Sequence, residues 1–175
     1  MTYNEYKEAS KKTATYPNKY AKVYLDLGMR GEAGEVCDAI KKLIRDCHWE
    51  LGMQIPKEKR TDIALELGDV LWYAARKSDE TDEPMHYIYS YTRKNGDDEE
   101  LPRFKRPFWN TAHLAYAAKD LSDSIPEQSI NWIVDCIEEC AASIGYGLDE
   151  IAQMNIEKLQ SRLERGKIQG SGDHR

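Results

Sequence analysis

Apolar residues recur three and four positions apart through residues 19–47: Tyr20, Val23, Leu27, Val36, Ile40, Leu43 and Ile44. That spacing draws one apolar stripe along a long helix. The same period returns over residues 60–77, 108–121, 126–144 and 148–165, and no stretch alternates with period two. Helices with one apolar stripe must bury it against one another, so the predicted class is all-α, a helical bundle. A first, shorter helix is expected from Thr2 to about Thr15, with Tyr3, Tyr6 and Ala9 on one side. Tyr16-Pro17-Asn18 ends it, because proline disfavours helix at the residue before it. A further short helix is expected from Pro84 to about Arg93. Residues 49–59 and 95–107 read as loops, 78–84 as a connector, and 167–175 as a Gly/Ser-rich tail. Gly28, Gly31 and Gly34 interrupt good helix formers, each costing about 1 kcal/mol against alanine. They predict either a break near Gly28 or the close approach of another backbone or a ligand.

A chain of 175 residues fits one domain with a core of its own. Its net charge of −6 argues against a general nucleic-acid binder, which needs a basic footprint. No apolar run is long enough for a transmembrane helix, and the N-terminus lacks a signal-peptide pattern. Cys37, Cys47, Cys136 and Cys140 form no C-x-x-C pair, so reduced thiols in a cytoplasmic protein are expected.

Two acidic pairs carry the chemistry: Glu32-x-x-Glu35 and Glu66-x-x-Asp69. At 100° per residue the acids of each pair lie about 60° apart, on one side of their helix. Val36 and Leu43 fall beside Glu32, and Val70 beside Glu66, so both pairs border an apolar stripe. Among 31 acidic residues some such spacings arise by chance as solvated surface acids. Two pairs, each at a core edge on neighbouring helices, are less easily dismissed. Four converging carboxylates repel unless cations lie among them, and hard divalent ions suit oxygen ligands.

The segments Gly31-Glu-Ala-Gly-Glu-Val36 and Glu66-Leu-Gly-Asp-Val-Leu-Trp-Tyr73 resemble the MazG-like, all-α nucleoside triphosphate pyrophosphohydrolases, a superfamily that includes the dimeric dUTPases and dCTP pyrophosphatases. The resemblance covers about residues 20–45, 61–76 and 148–175, the last through Asn155-Ile-Glu-Lys158-Leu-Gln-Ser-Arg162. It departs from the compact family pattern at about 77–146, which reads as a helical insertion in a single 1–175 domain. It implies hydrolysis between the α and β phosphates of a nucleotide, with dGTP or GTP, dUTP and dCTP as candidate substrates. It implies two or more Mg2+ ions, replaceable by Mn2+, held by Glu32, Glu35, Glu66 and Asp69. Glu35 is also the expected catalytic carboxylate, orienting or deprotonating the attacking water. A homo-oligomer, dimer or tetramer, is implied as well.

Phosphates distal to the metals call for cations. Asn155, Lys158, Arg162 and Arg165 share one face of the last helix. Lys158 offers a point charge and Arg162 a bidentate fork. Lys42 shares the Glu35 face, and Tyr73 is the aromatic candidate for substrate contact. Without the resemblance, this stripe reads rather as solvated cations near a helix C-terminus. Two rivals remain in view: a non-enzymatic acidic interaction module, and a di-iron carboxylate bundle. The second needs two Glu-x-x-His motifs, and only Glu83-Pro-Met-His86 has that spacing. The basic, aromatic run 103–109 reads as an anchored loop rather than a nucleic-acid surface.

Overall fold

The computed structural model describes residues 1–50, 53–81, 107–120 and 129–168. Among these there is no strand, and six α-helices follow in order: α1 (Tyr3–Lys11), α2 (Ala21–Cys47), α3 (Lys57–Thr81), α4 (Pro107–Asp120), α5 (Ser129–Ser143) and α6 (Leu148–Glu164). The expected short helix at 84–93 and the loop at 95–106 lie outside the described residues.

Local sequence explains the element boundaries. Thr2 caps α1: its hydroxyl accepts from the Glu5 N–H at 3.3 Å, and the Glu5 carboxylate accepts from the Thr2 N–H at 2.6 Å. A short 3₁₀ turn, Asn18–Tyr20, follows Pro17 and leads into α2. His48 ends α2 in the left-handed region at φ 50°. Gly145, at φ 83°, makes the turn from α5 toward α6, a conformation costly to residues with a Cβ.

The core stripe of α2 differs from the expected one. Val36, Ile40 and Leu43 are buried as predicted, joined by Ala21, Leu25, Met29 and Ala33. Tyr20, Val23, Leu27 and Ile44 are instead exposed, at 58, 59, 62 and 38 %. The N-terminal half is turned from the expected stripe: Leu25 and Met29 point inward with Ala21 and Ala33, and Val23 and Leu27 point outward. Nor does α2 break at Gly28. A Cβ there would lie 2.1 Å from the Tyr73 ring, so the glycine admits that ring.

α2 and α3 form the central antiparallel pair. α4 lies on α2, and α5 packs against α4, α3 and α6. Leu114, Ile130, Ile133 and Ile137 from α4 and α5 join Val36, Leu67 and Val70 in one hydrophobic cluster. The described helices of the 77–146 stretch therefore share the bundle's interior. Each such aliphatic side chain contributes roughly 1.5–3 kcal/mol by leaving water. Trp49 and Ile55, in the α2–α3 loop, are buried in the same cluster, and the Trp49 indole donates to the Met53 carbonyl at 2.9 Å. No described helix is long and apolar enough to cross a membrane. All four cysteines are free.

Candidate metal centre and cleft

The antiparallel α2–α3 pair brings Glu32 beside Glu66 and Asp69. Each offers one oxygen, and the three oxygens lie within 4.8 Å of one another. All three residues are half-buried, where Coulomb repulsion is less screened than in bulk water. Three hard oxygen donors at this separation fit a divalent cation.

Glu35, the fourth acid of the pattern, is exposed and stands outside this group of three. It lies one turn beyond Glu32 and toward the solvent side of α2, while α3 approaches on the Glu32 side. Lys42 is also exposed, and its ammonium pairs with Asp38 at 2.6 Å, with Lys41 on the same carboxylate. The two ammonium groups hold the Asp38 carboxyl down to about 2. In this arrangement Lys42 sits in a helix-surface ion pair and is not among the residues that line the cleft described below.

The last helix meets Asp69 directly. Lys158 Nζ contacts Asp69 Oδ2 at 2.5 Å, and the Leu65 carbonyl accepts from it at 3.4 Å. Asn155 Nδ2 donates to Asp69 Oδ1 at 2.9 Å. Asn155 is fully buried, and its own Oδ1 accepts from the Tyr6 hydroxyl at 2.9 Å. Asn155 thus braces Asp69 and ties three helices together, α1 through Tyr6, α3 through Asp69 and α6 through itself. Gly68 permits this, because a Cβ there would fall 2.8 Å from the Asn155 Cβ.

A small cleft of about 100 Å³, open to solvent, adjoins the carboxylates. Glu32, Asp69 and Arg162 line it together with Tyr24, Trp72, Tyr73, Thr13 and Thr15. The aromatic rings form a packed set. Tyr16 stacks on Tyr24 at 5.5 Å, and Trp72 meets Tyr73 edge-on at 5.0 Å. The Trp72 indole donates to Thr13 Oγ1 at 2.9 Å and to the Ser10 carbonyl at 3.2 Å. Burial pushes the Tyr73 phenol up, helped by Tyr24 and by the negative field of Glu32 and Asp69. Burial does the same to Tyr16, up to about 12, with the Glu80 carboxylate at 3.0 Å adding to it. Both phenols remain neutral donors at ordinary pH.

The expected residues therefore divide. Glu32, Glu66 and Asp69 come together, Lys158 and Asn155 hold Asp69, and Tyr73 and Arg162 line the cleft. Glu35 and Lys42 lie outside both groups. Tyr6, Thr13 and Thr15 escaped the sequence reading. They lie in a short segment with no acidic motif, and Tyr6 meets Asn155 from 149 positions away. Ile168 also lines the cleft, while the tail beyond it lies outside the described residues.

An all-α bundle with paired acids on adjacent helices defines a class that comparison with known families makes specific. Residues 24–90 match the family model of the MazG nucleotide pyrophosphohydrolase domain, consistent with a MazG-like, all-α superfamily. The match takes in α3 and all but the first turn of α2, the helices that carry the acids, and excludes α1, α4, α5 and α6. Over its whole length the chain is 28% identical to the Gene 37 protein of Mycobacterium phage L5, and the alignment covers all of both chains. No solved structure matches.

Proposed function

We propose that this protein hydrolyses a nucleoside triphosphate between its α and β phosphates, releasing the nucleoside monophosphate and pyrophosphate, with Mg2+ as its cofactor. The observation that carries this reading is the cleft whose lining combines carboxylates and Arg162 with the aromatic rings of Tyr24, Trp72 and Tyr73. A nucleotide combines matching chemistries, a polyanionic chain and a flat base. Its triphosphate brings about four negative charges, which carboxylates tolerate only through intervening cations.

Glu32, Glu66 and Asp69 offer the hard, half-buried oxygen donors that suit divalent ions. Glu35, one turn away, completes the expected ligand set. Bound there, Mg2+ would neutralise phosphate charge and acidify a coordinated water, and Mn2+ would serve in its place. The protein's own groups supply the rest. Glu35 orients the attacking water and takes its proton. Asn155 and Lys158 keep Asp69 in place. Arg162, with Lys158 and Lys42, offers positive charge to the distal phosphates. Tyr73, with Tyr24 and Trp72, offers ring faces to the base. The candidate substrates are dGTP or GTP, dUTP and dCTP, and the active form is a cytoplasmic homo-oligomer.

The test is pyrophosphate release across a panel of NTPs and dNTPs, with Mg2+, with Mn2+ and with chelator. Release that requires the metal supports the reading. Well-folded protein that releases none from any nucleotide returns the chain to an acidic interaction module. Within the panel, Glu35→Gln is expected to lower kcat about 100-fold or more, the usual contribution of a general base. Near-normal turnover would remove Glu35 from that role.

A further inference from the structure

Two demands meet on Lys158. Its ammonium stands 2.5 Å from Asp69 Oδ2, and the Leu65 carbonyl accepts from it at 3.4 Å. In the proposed reaction the same ammonium offers its charge to a phosphate. One point charge does not serve both anions at once. Leu159 and Arg162, its neighbours on α6, line the cleft, and Lys158 does not. Its pair with Asp69 is shielded, the two side chains being 11 and 13 % exposed. Salt screens such a pair far less than an ion pair on the surface.

The acidic cluster explains why an ammonium sits there. Glu32, Glu66 and Asp69 bring three oxygens within 4.8 Å of one another. Like charges that close are unfavourable without positive charge among them, and Lys158 supplies it. A divalent ion that takes Asp69 as a ligand meets this arrangement. Asp69 Oδ1 accepts from Asn155 and Oδ2 from Lys158. Asn155 is a neutral donor and tolerates a cation on the same carboxylate. An ammonium repels it. Lys158 is also free to give way while α6 stays in place. Its charge is carried on a flexible four-carbon stem, whereas the helix is fixed by Ile151, Ala152, Asn155 and Ile156, all buried.

We infer that Lys158 is the resident counter-ion of the acidic cluster: it holds Asp69 while no metal is bound, yields that carboxylate to an entering divalent ion, and so frees its charge for the phosphates. Lys158 is then a positioning residue before the metal enters and a substrate contact after. The inference rests on the proposed function for its metal and its phosphate, but the exchange at Asp69 is read without turnover.

The experiment is Mn2+ binding to the full chain by calorimetry, first without nucleotide. Lys158→Met keeps the stem and removes the charge. It is expected to bind Mn2+ about tenfold more tightly than wild type, the scale on which one nearby charge shifts a carboxylate equilibrium. It is also expected to melt lower than wild type in chelator and to gain more from added Mn2+. Lys158→Arg keeps the charge and is expected to keep the wild-type affinity. Glu32→Gln in either background should weaken the metal, which locates the ion at the cluster. With Mn2+ saturating, Lys158→Met is expected to bind an α,β-methylene nucleotide about tenfold more weakly, the loss of one charged hydrogen bond. A residue that only braced Asp69 would weaken metal and nucleotide together when removed. Equal or weaker Mn2+ binding by a helical Lys158→Met protein would therefore overturn the inference, and unchanged nucleotide binding would overturn its phosphate half. Tighter Mn2+ binding by Lys158→Met in a protein that hydrolyses no nucleotide would keep the exchange and remove the reaction. Metal-dependent pyrophosphate release with Mn2+ affinity unmoved would do the reverse.

Discussion

Asp69 shows how much support one carboxylate requires. Its two oxygens are taken by Asn155 and Lys158, and Asn155 is oriented in turn by Tyr6. The Tyr6 hydroxyl thus stands behind the acidic cluster, one residue removed from Asp69. Tyr6→Phe would leave the buried Asn155 oxygen without its donor, at a cost of about 1–3 kcal/mol. The expected outcome is a lower urea midpoint together with weaker Mn2+ binding by calorimetry. A loss of stability with unchanged metal affinity would show that Asn155 keeps its orientation unaided. The three clustered acids were legible in the sequence because each borders an apolar stripe, and an apolar stripe finds a neighbour. The bracing by Tyr6 was not, since nothing local to Tyr6 tells which distant polar group it meets.

Between α2 and α3 the closest fit is a ring against a missing side chain. Gly28→Ala would gain up to about 1 kcal/mol in helix propensity. It would also drive a methyl into the Tyr73 ring, whose neighbours Tyr24 and Trp72 leave it little room. Overpacking of this kind costs about 1–3 kcal/mol, so the variant is expected to melt lower than wild type. Adding Tyr73→Val should recover that loss, which thermal melts of the single and double variants would check. The helical order was readable from period alone, and α2 begins and ends close to where Pro17 and the apolar spacing put it. Which stripe of α2 faces inward was not readable. Two apolar faces coexist on the N-terminal half of that helix, Leu25 and Met29 on one and Val23 and Leu27 on the other. Apolar spacing alone does not choose between them, whereas packing against α3 and the seating of Tyr73 at Gly28 do.

Across the molecule, the segment before α2 is clamped to α3 by side chains that stay neutral only within a pH range. The Tyr16 phenol, raised to about 12 from 10.0, contributes stability that is complete below pH 10 and is lost as pH climbs toward 12. Tyr73 shifts in the same direction and extends the loss upward. Melting temperatures measured from pH 8 to 11.5 should fall at the alkaline end, and Tyr16→Phe should fall less steeply. Equal slopes would exclude Tyr16 as a contributor. The family match over residues 24–90 covers the acids and only part of what surrounds them, since Thr13, Asn155 and Arg162 come from either side of it. That division has a consequence in time. A growing polypeptide emits Tyr6 first, Asp69 midway and Asn155 near the end. Domains consolidate as units once their parts have been made. The acids on α2 and α3 therefore wait, through most of synthesis, for the helix that steadies them, and a chain released early carries the whole acidic signature without its brace.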